Sequence, residues 1–409
     1  MKQLTIALGL LATLPVNAQT RKVLFIGNSY TSYNNLPELV RQLALSMGDT
    51  LTVASSTPGG HTFQQHCSNA TTQGLIAQQA WDFVVLQEQS QLPSFPDGQV
   101  AQQCLPFAAQ LVDTIRAYSP CAEAVFYMTW GRENGDASNC ATWPPVCTYD
   151  GMQALLRERY LQMAVDNDAF AAPVGAAWKR TRELHPGIGL YVGDGSHPNP
   201  RGSYLAAATI CSTIMRRSCS AATYTAGLQA DTAALLRSIA SGIVLDSVDT
   251  WNIGVNDPDA GFTYDFSGPC MLQFTANGDG LHAWTFGDGA ASTEDSPVHA
   301  FSPGNEAYIV THLLTDACGR TSSDTLSVAA CLVGVNEPTA VRIRPLVEGR
   351  TIRFKDVHPA ARIVLHRTDG ALLAYGSATT AMVVPAGGPV AWQLIEPDGI
   401  RSSGLLFMP

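Results

Sequence analysis

Basic side chains are scarce in this chain: 24 lysines and arginines stand against 34 aspartates and glutamates, and charged residues make up only 14% of the 409 positions. The formal net charge is -10, which leaves no electrostatic footprint for DNA or RNA, so nucleic acid is excluded as a partner. Long apolar runs are missing as well. The stretch from Leu4 to Leu14 falls well short of the ~20 residues that span a bilayer, and no later run is long enough either, so no transmembrane segment is expected. No CxxC pair and no Cys/His cluster with zinc spacing occurs, and the ten cysteines therefore read as disulfides rather than as a metal site. What the chain has in quantity is hydrophobic residues, 46%, with 35 glycines and 24 prolines. That composition excludes wholesale disorder, and at about 150 residues per domain the length calls for two or three cores.

The first twenty residues point to export. Lys2 gives a positive start, the short apolar stretch follows, and Val16-Asn17-Ala18 has the small-residue pattern of a signal-peptide cleavage site after Ala18. In an oxidising compartment three pairings suggest themselves: Cys140 with Cys147 across a Trp-Pro-Pro loop, Cys211 with Cys219, and Cys270 with Cys318. Sequence alone does not fix connectivity.

From Lys22 to about Ser218, short apolar runs alternate with longer amphipathic segments, which predicts an α/β domain over 19–250 with a parallel sheet. Strands are expected at Val23–Ile26, Leu51–Ala54, Phe83–Leu86 and Ala124–Met128, and helices near 36–47, 70–80, 99–118 and 149–168. A short helix near 229–241 closes this region. Beyond Trp251 strands with Gly, Asp, Ser and Thr turns take over, without helical periodicity, predicting a β-sandwich over 258–332, a linker at Gly334–Thr339 and a small β-domain over 339–409.

A parallel sheet places its ligand site at the carboxyl ends of its strands, and the candidate chemistry lies there. Ser29, in Gly27-Asn28-Ser29-Tyr30-Thr31, follows the first strand, where a turn can present both hydroxyl and N–H; a serine here also serves as a helix cap. Asp194 and His197, in Gly193-Asp194-Gly195-Ser196-His197-Pro198-Asn199, put a carboxylate three residues before an imidazole at the entrance to a helix. That carboxylate can fix the ring's tautomer while the other nitrogen reaches a serine. Gly60, in Pro58-Gly59-Gly60-His61-Thr62, can offer an N–H to a developing oxyanion, and Gln87 and Gln89, in Gln87-Glu88-Gln89-Ser90, put amide donors at the same edge.

In this order the blocks resemble the SGNH, or GDSL-like, hydrolase family: a serine after strand one, a glycine, an amide side chain and a closing Asp-x-x-His. The run from Val23 to Ser90 looks like a bacterial branch of that family without a defined substrate. The resemblance covers about half of the chain and implies a flavodoxin-like sheet and ester cleavage with Ser29 as nucleophile, His197 as base and Asp194 as its partner. The oxyanion would sit on the N–H groups of Ser29 and Gly60 with Gln89 or Gln87, because Gln87-Glu88-Gln89 stands where the family has Gly-x-Asn-Asp. This chemistry needs neither a metal nor an organic cofactor.

Trp284-Thr285-Phe286-Gly287-Asp288-Gly289 with Pro297-Val298-His299-Ala300-Phe301 resembles a PKD-type β-sandwich, with Trp284, Phe286 and Phe301 as core and Asp288 on turn duty rather than on calcium. The last module is similar to the C-terminal sorting domains of type IX secretion, which implies the secretion machinery as a partner. The expected activity is a secreted serine esterase removing O-acyl, above all O-acetyl, groups from carbohydrate. The alternatives are a lipid or small-ester hydrolase, or a glycan-binding adhesin. Trp81, Trp130 and Trp178 are candidate sugar platforms, although Trp81, before a strand, fits the core better.

Overall fold

A computed structural model describes residues 20–302 and 307–330 and, beyond these, 346–348, 351–354, 360–367, 372–377, 382–384, 388–396 and 399–408. The expected signal peptide and the linker lie outside the described residues.

The first domain is built on five parallel strands, β1 (Thr20–Ile26), β2 (Thr50–Ser56), β3 (Phe83–Leu86), β4 (Glu123–Tyr127) and β5 (Phe170–Ala172), in the order β2-β1-β3-β4-β5. This is the flavodoxin-like order, with its switch point between β1 and β3. Ten helices flank the sheet: α1 (Ser29–Ser32), α2 (Leu36–Ser46), α3 (Phe63–Ser68), α4 (Ala70–Gln78), α5 (Asp97–Gln103), α6 (Leu105–Tyr118), α7 (Tyr149–Asp166), α8 (Val174–Leu184), α9 (Pro200–Met215) and α10 (Ala230–Leu245).

The strands read as unbroken apolar runs because both faces are covered. In β1, Val23 and Phe25 pack with α2, α9 and α10, whereas Leu24 and Ile26 face the layer that holds α6 and α7. All four are fully buried, and each such side chain contributes about 1.5–3 kcal/mol. Strand β5 is three residues long and two of them are alanine, too short and too weakly β-branched to stand out in the sequence; it and α8 were not among the expected elements.

Residues 262–302 and 307–328 form two antiparallel sheets. Their strands are β6 (Phe262–Gly268), β7 (Met271–Ala276), β8 (Leu281–Thr285), β9 (Ala291–Ser292), β10 (Val298–Ala300), β11 (Tyr308–Thr315) and β12 (Thr321–Val328), ordered β10-β7-β6 and β12-β11-β8-β9. Trp284, Phe286 and Phe301 are buried as expected, and the Asp288 carboxylate accepts from the N–H of Ala290 at 2.9 Å, a turn role. The remaining strands are β13 (Leu346–Glu348), β14 (Thr351–Arg353), β15 (Arg362–Arg367), β16 (Leu372–Ser377), β17 (Met382–Val383), β18 (Gly388–Glu396) and β19 (Gly399–Met408), forming the sheets β13-β14-β17 and β16-β15-β18-β19. Ile352, Ile363, Leu365, Trp392 and Leu394 make their common core.

By compactness the chain divides into two units. The first comprises residues up to Tyr264 with Phe274–Pro297 and Val310–Leu326, and the second Asp265–Gln273, Val298–Ile309 and Ser327–Pro409.

The Cys140–Cys147 bridge is present, and the other two expected pairings are not. Cys318 bonds Cys121 instead, within the first unit, joining the turn between β11 and β12 to the segment before β4; Cys270 is disulfide-bonded, but not to Cys318. Cys211 and Cys219 are buried free thiols that hydrogen-bond each other. Arg216, in left-handed conformation at φ 49°, ends α9 and turns the chain so that Cys219 comes back against the helix, where Ser212 Oγ is 3.2 Å from its sulfur.

Candidate active site

The nucleophile turn is set by Asn28, which caps α1 and is buried. Its side-chain oxygen accepts from the N–H of Tyr30 at 3.2 Å, and its amide nitrogen donates to the carbonyl of His61 at 2.9 Å. This leaves Ser29 half-buried at the carboxyl end of β1, with Oγ 2.8 Å from His197 Nε2. On the far side of the ring, Nδ1 stands 2.6 Å from Asp194 Oδ2. A carboxylate only accepts, so Nδ1 carries the hydrogen and the Nε2 lone pair faces the serine hydroxyl.

Residues 194–197 form a compact turn. Asp194 Oδ1 accepts the N–H groups of Ser196 and His197 at 2.8 and 2.9 Å. Burial pushes the Asp194 carboxyl up, but the His197 ring and these two N–H groups outweigh it and hold it below its ordinary value. Gly195 takes φ 64°, a conformation open to glycine without strain. Asn199 then caps α9, accepting from Arg201 and Gly202, while its amide donates to the carbonyls of Gly189 and Tyr191.

Beneath the site runs an aromatic stack. Tyr30 lies on Trp130 at 4.8 Å, Trp130 on Trp178 at 3.8 Å, and Tyr191 meets the edge of Trp178 at 4.7 Å. Tyr30 OH is 2.6 Å from Ser196 Oγ, and Trp130 Nε1 donates to the Ser196 carbonyl at 3.0 Å. The stack thus fixes the Asp194–His197 turn against the nucleophile turn. Trp130 and Trp178 are fully buried and Trp81 nearly so, so none of them offers a face to a sugar. The aromatic ring that does reach the surface beside the chemistry is Tyr33, 38% exposed and stacked on His197 at 4.5 Å.

The N–H groups of Ser29 and Gly60 have no hydrogen-bond partner among the described residues, and Gly60, at φ 68°, holds an open turn. The glutamines are engaged. Gln87 Oε1 accepts from Asn28 N–H at 2.9 Å and from Thr31 Oγ1 at 2.8 Å, and its nitrogen donates to the Glu88 carbonyl. Gln89 Oε1 accepts from the N–H groups of Gln91 and Leu92, and its nitrogen donates to Gln91 Oε1 at 3.2 Å. Gln87 therefore braces the nucleophile turn. Sequence reasoning missed that brace, the Trp130 contact and Asn28's double role; the signal was a polar or aromatic residue within three positions of the ends of β1, β3 and β4.

A cleft of about 330 Å³ opens at the opposite, amino-terminal edge of the sheet. It lies far along the strands from Ser29, and its charges are paired, Arg216 with Asp257 at 2.5 Å and Arg320 with Glu123 at 2.9 Å. Among the described residues no group of three or more His, Cys, Asp or Glu is arranged to hold a metal.

No protein-family model and no curated protein matches this chain. Solved structures do resemble it. A DUF4886 family protein from Bacteroides uniformis is 19% identical, with 56% of this chain and 95% of that one covered and a TM-score of 0.49. A candidate SGNH hydrolase from Slackia heliotrinireducens is 29% identical over 47% of this chain and 98% of its own, with a TM-score of 0.39. The PKD1 domain of the metalloprotease PrtV from Vibrio cholerae is 23% identical over 19% of this chain and 99% of its own, with a TM-score of 0.17. The structures that this chain resembles are thus SGNH- or GDSL-like hydrolases and, over a short share, PKD domains.

Proposed function

We propose that this chain is a serine ester hydrolase of the SGNH type, with Ser29, His197 and Asp194 as its catalytic residues. One observation carries the reading: the chain Ser29 Oγ, His197 Nε2, His197 Nδ1, Asp194 Oδ2, with links of 2.8 and 2.6 Å. As a substrate carbonyl approaches, Ser29 Oγ forms the new C–O bond while its proton passes to His197 Nε2. Asp194 holds the resulting imidazolium. The carbonyl oxygen, now negative, meets the free N–H groups of Ser29 and Gly60, and each such donor supplies about 3 kcal/mol of transition-state stabilisation. Collapse breaks the ester bond, the alcohol leaves with the proton from His197, and water repeats the cycle on the acyl-serine.

The finer reading is O-deacylation, above all deacetylation, of carbohydrate outside the cell. Its support is the open setting of the site, with the His197 and Asp194 side chains 26% and 46% exposed, and the exposed Tyr33 ring, an aromatic face of the kind on which sugars stack. Export is supported by the disulfides Cys121–Cys318 and Cys140–Cys147, which persist in oxidising compartments; delivery by type IX secretion belongs to the same proposal. No helix among the described residues is long and apolar enough to cross a membrane. The test is acid release by the full chain from acetylated polysaccharide and from aryl acetate and butyrate. Acetate release from both substrate types, lost in Ser29→Ala, supports the reading. Turnover of aryl esters alone would confine it to small esters.

A further inference from the structure

Two loops flank the place where an oxyanion would form: residues 58–62 after β2 and 87–91 after β3. One carboxyl group joins them from below. Glu88 is fully buried. Both its oxygens lie 3.1 Å from the N–H of Phe63, the first residue of α3, and Oε1 lies 2.5 Å from the N–H of Gln89. The thiol of Cys104, whose hydrogen points to Met163 Sδ at 3.7 Å, is a further neighbour. Its hydrogen-bond donors are thus backbone N–H groups rather than a cation. Phe63 lies three positions past Gly60, and between them the His61 carbonyl is held by Asn28 at 2.9 Å. The glycine loop is therefore fastened twice, once to the nucleophile turn and once to Glu88.

We infer that Glu88 is a positioning residue for ester hydrolysis: its carboxylate gathers the N–H groups of Phe63 and Gln89 and thereby fixes the glycine loop with the Gly60 N–H aimed at the oxyanion. The inference rests on the hydrolase reading above. It also accounts for the glutamate standing in a block whose two amide side chains are both engaged within the chain. Gln87 braces the nucleophile turn, and Glu88 braces the loop across from it.

The protonation state of Glu88 matters to this brace. As a carboxylate it accepts from every donor around it, whereas a carboxylic acid turns one oxygen into a donor facing other donors. Burial pushes the Glu88 carboxyl up to about 8, against the lowering effect of the Gln89 and Phe63 N–H groups and Cys104. The other titratable groups packed here are Cys67 on α3, Cys104 between α5 and α6, and Tyr160 on α7, whose hydroxyl faces the Glu88 N–H at 3.3 Å. Burial raises Cys67 to about 11 and pushes Cys104 and Tyr160 up as well. None of these three gains charge near pH 8, so a shift of the Phe63 and Gln89 amides there belongs to Glu88.

The experiment measures aryl acetate turnover by the full chain and by Glu88→Gln across pH 6 to 10, and follows the amide resonances of Phe63 and Gln89 in the wild type over the same range. A misplaced loop predicts that Glu88→Gln loses about 100-fold in kcat, with KM little changed and with the rise in kcat near pH 8 absent. In the wild type both amide resonances should shift with the same midpoint as kcat, a result that does not depend on the variant folding. Unchanged turnover in a folded Glu88→Gln, or amide resonances that stay fixed while kcat climbs, would overturn the inference and leave the hydrolase reading intact. Wild-type protein inert toward every ester would overturn both.

Discussion

At the scale of single residues, opposite environments set the two carboxyl groups of the site apart. Asp194 is half-exposed and held below its ordinary pKa by hydrogen bonds to its ionised form; Glu88 is buried and raised. Asp194→Asn should lower kcat about 10⁴-fold with substrate binding little altered, because an amide favours the wrong imidazole tautomer; steady-state kinetics on an aryl ester measures this. For Glu88 the effect reaches stability. Its folded pKa, about 8, exceeds the unfolded value near 4.5, so between those limits the native state binds the extra proton and stability falls as pH rises. Glu88→Gln should flatten that slope, so urea midpoints of variant and wild type should diverge between pH 5 and pH 9. Ser29, Asp194 and His197 were legible in the sequence because each lies in a short motif beside a strand or a helix start. The braces were not, since Gln87 meets Asn28 and Thr31 across 59 and 56 positions and no local pattern encodes such a contact.

The same contrast holds for elements. Strands β1 to β4 were legible because burial on both faces demands continuous apolar residues, whereas β5, two-thirds alanine, carries no such mark. The turn from β1 to α1 shows how tightly an element can bind its neighbours. A Cβ on Gly27 would come within 2.5 Å of Thr31 Oγ1 and 2.6 Å of Gln87 Oε1, which are the two halves of the brace. Gly27→Ala should therefore part Gln87 from Thr31, cost about 1–3 kcal/mol of stability as overpacking does, and lower kcat more than KM. Denaturant melts together with kinetics on one preparation check both effects. A variant as stable and active as wild type would show that the brace yields freely.

On the scale of the whole molecule, the Cys121–Cys318 bridge spans 197 positions, and beside it Arg320 pairs with Glu123 at 2.9 Å and with Asp316 at 2.7 Å. Removing such a long-range link costs about 5 kcal/mol in the chain-entropy picture. The bridge lies at the amino-terminal ends of the strands, away from Ser29. The double variant Cys121→Ala/Cys318→Ala should thus melt at markedly lower temperature while hydrolysing soluble esters at wild-type rate, measured well below the melt. By the same reasoning a chain cut at residue 258 loses both the bridge and the Arg320 pair, and its stability should suffer. Sequence spacing pointed to Cys270 for Cys318, because it favours partners within one module; this bridge instead runs from the sandwich turn to the α/β domain.

The central claim is that Ser29 is a nucleophile activated by His197, and covalent labelling of the intact chain tests it most directly. After incubation with a serine-directed phosphonate, peptide mass spectrometry should find one adduct, on Ser29, absent from Ser29→Ala and formed far more slowly in His197→Ala. Folded wild-type protein that takes up no label, or that is labelled equally after Ser29→Ala, would contradict the account.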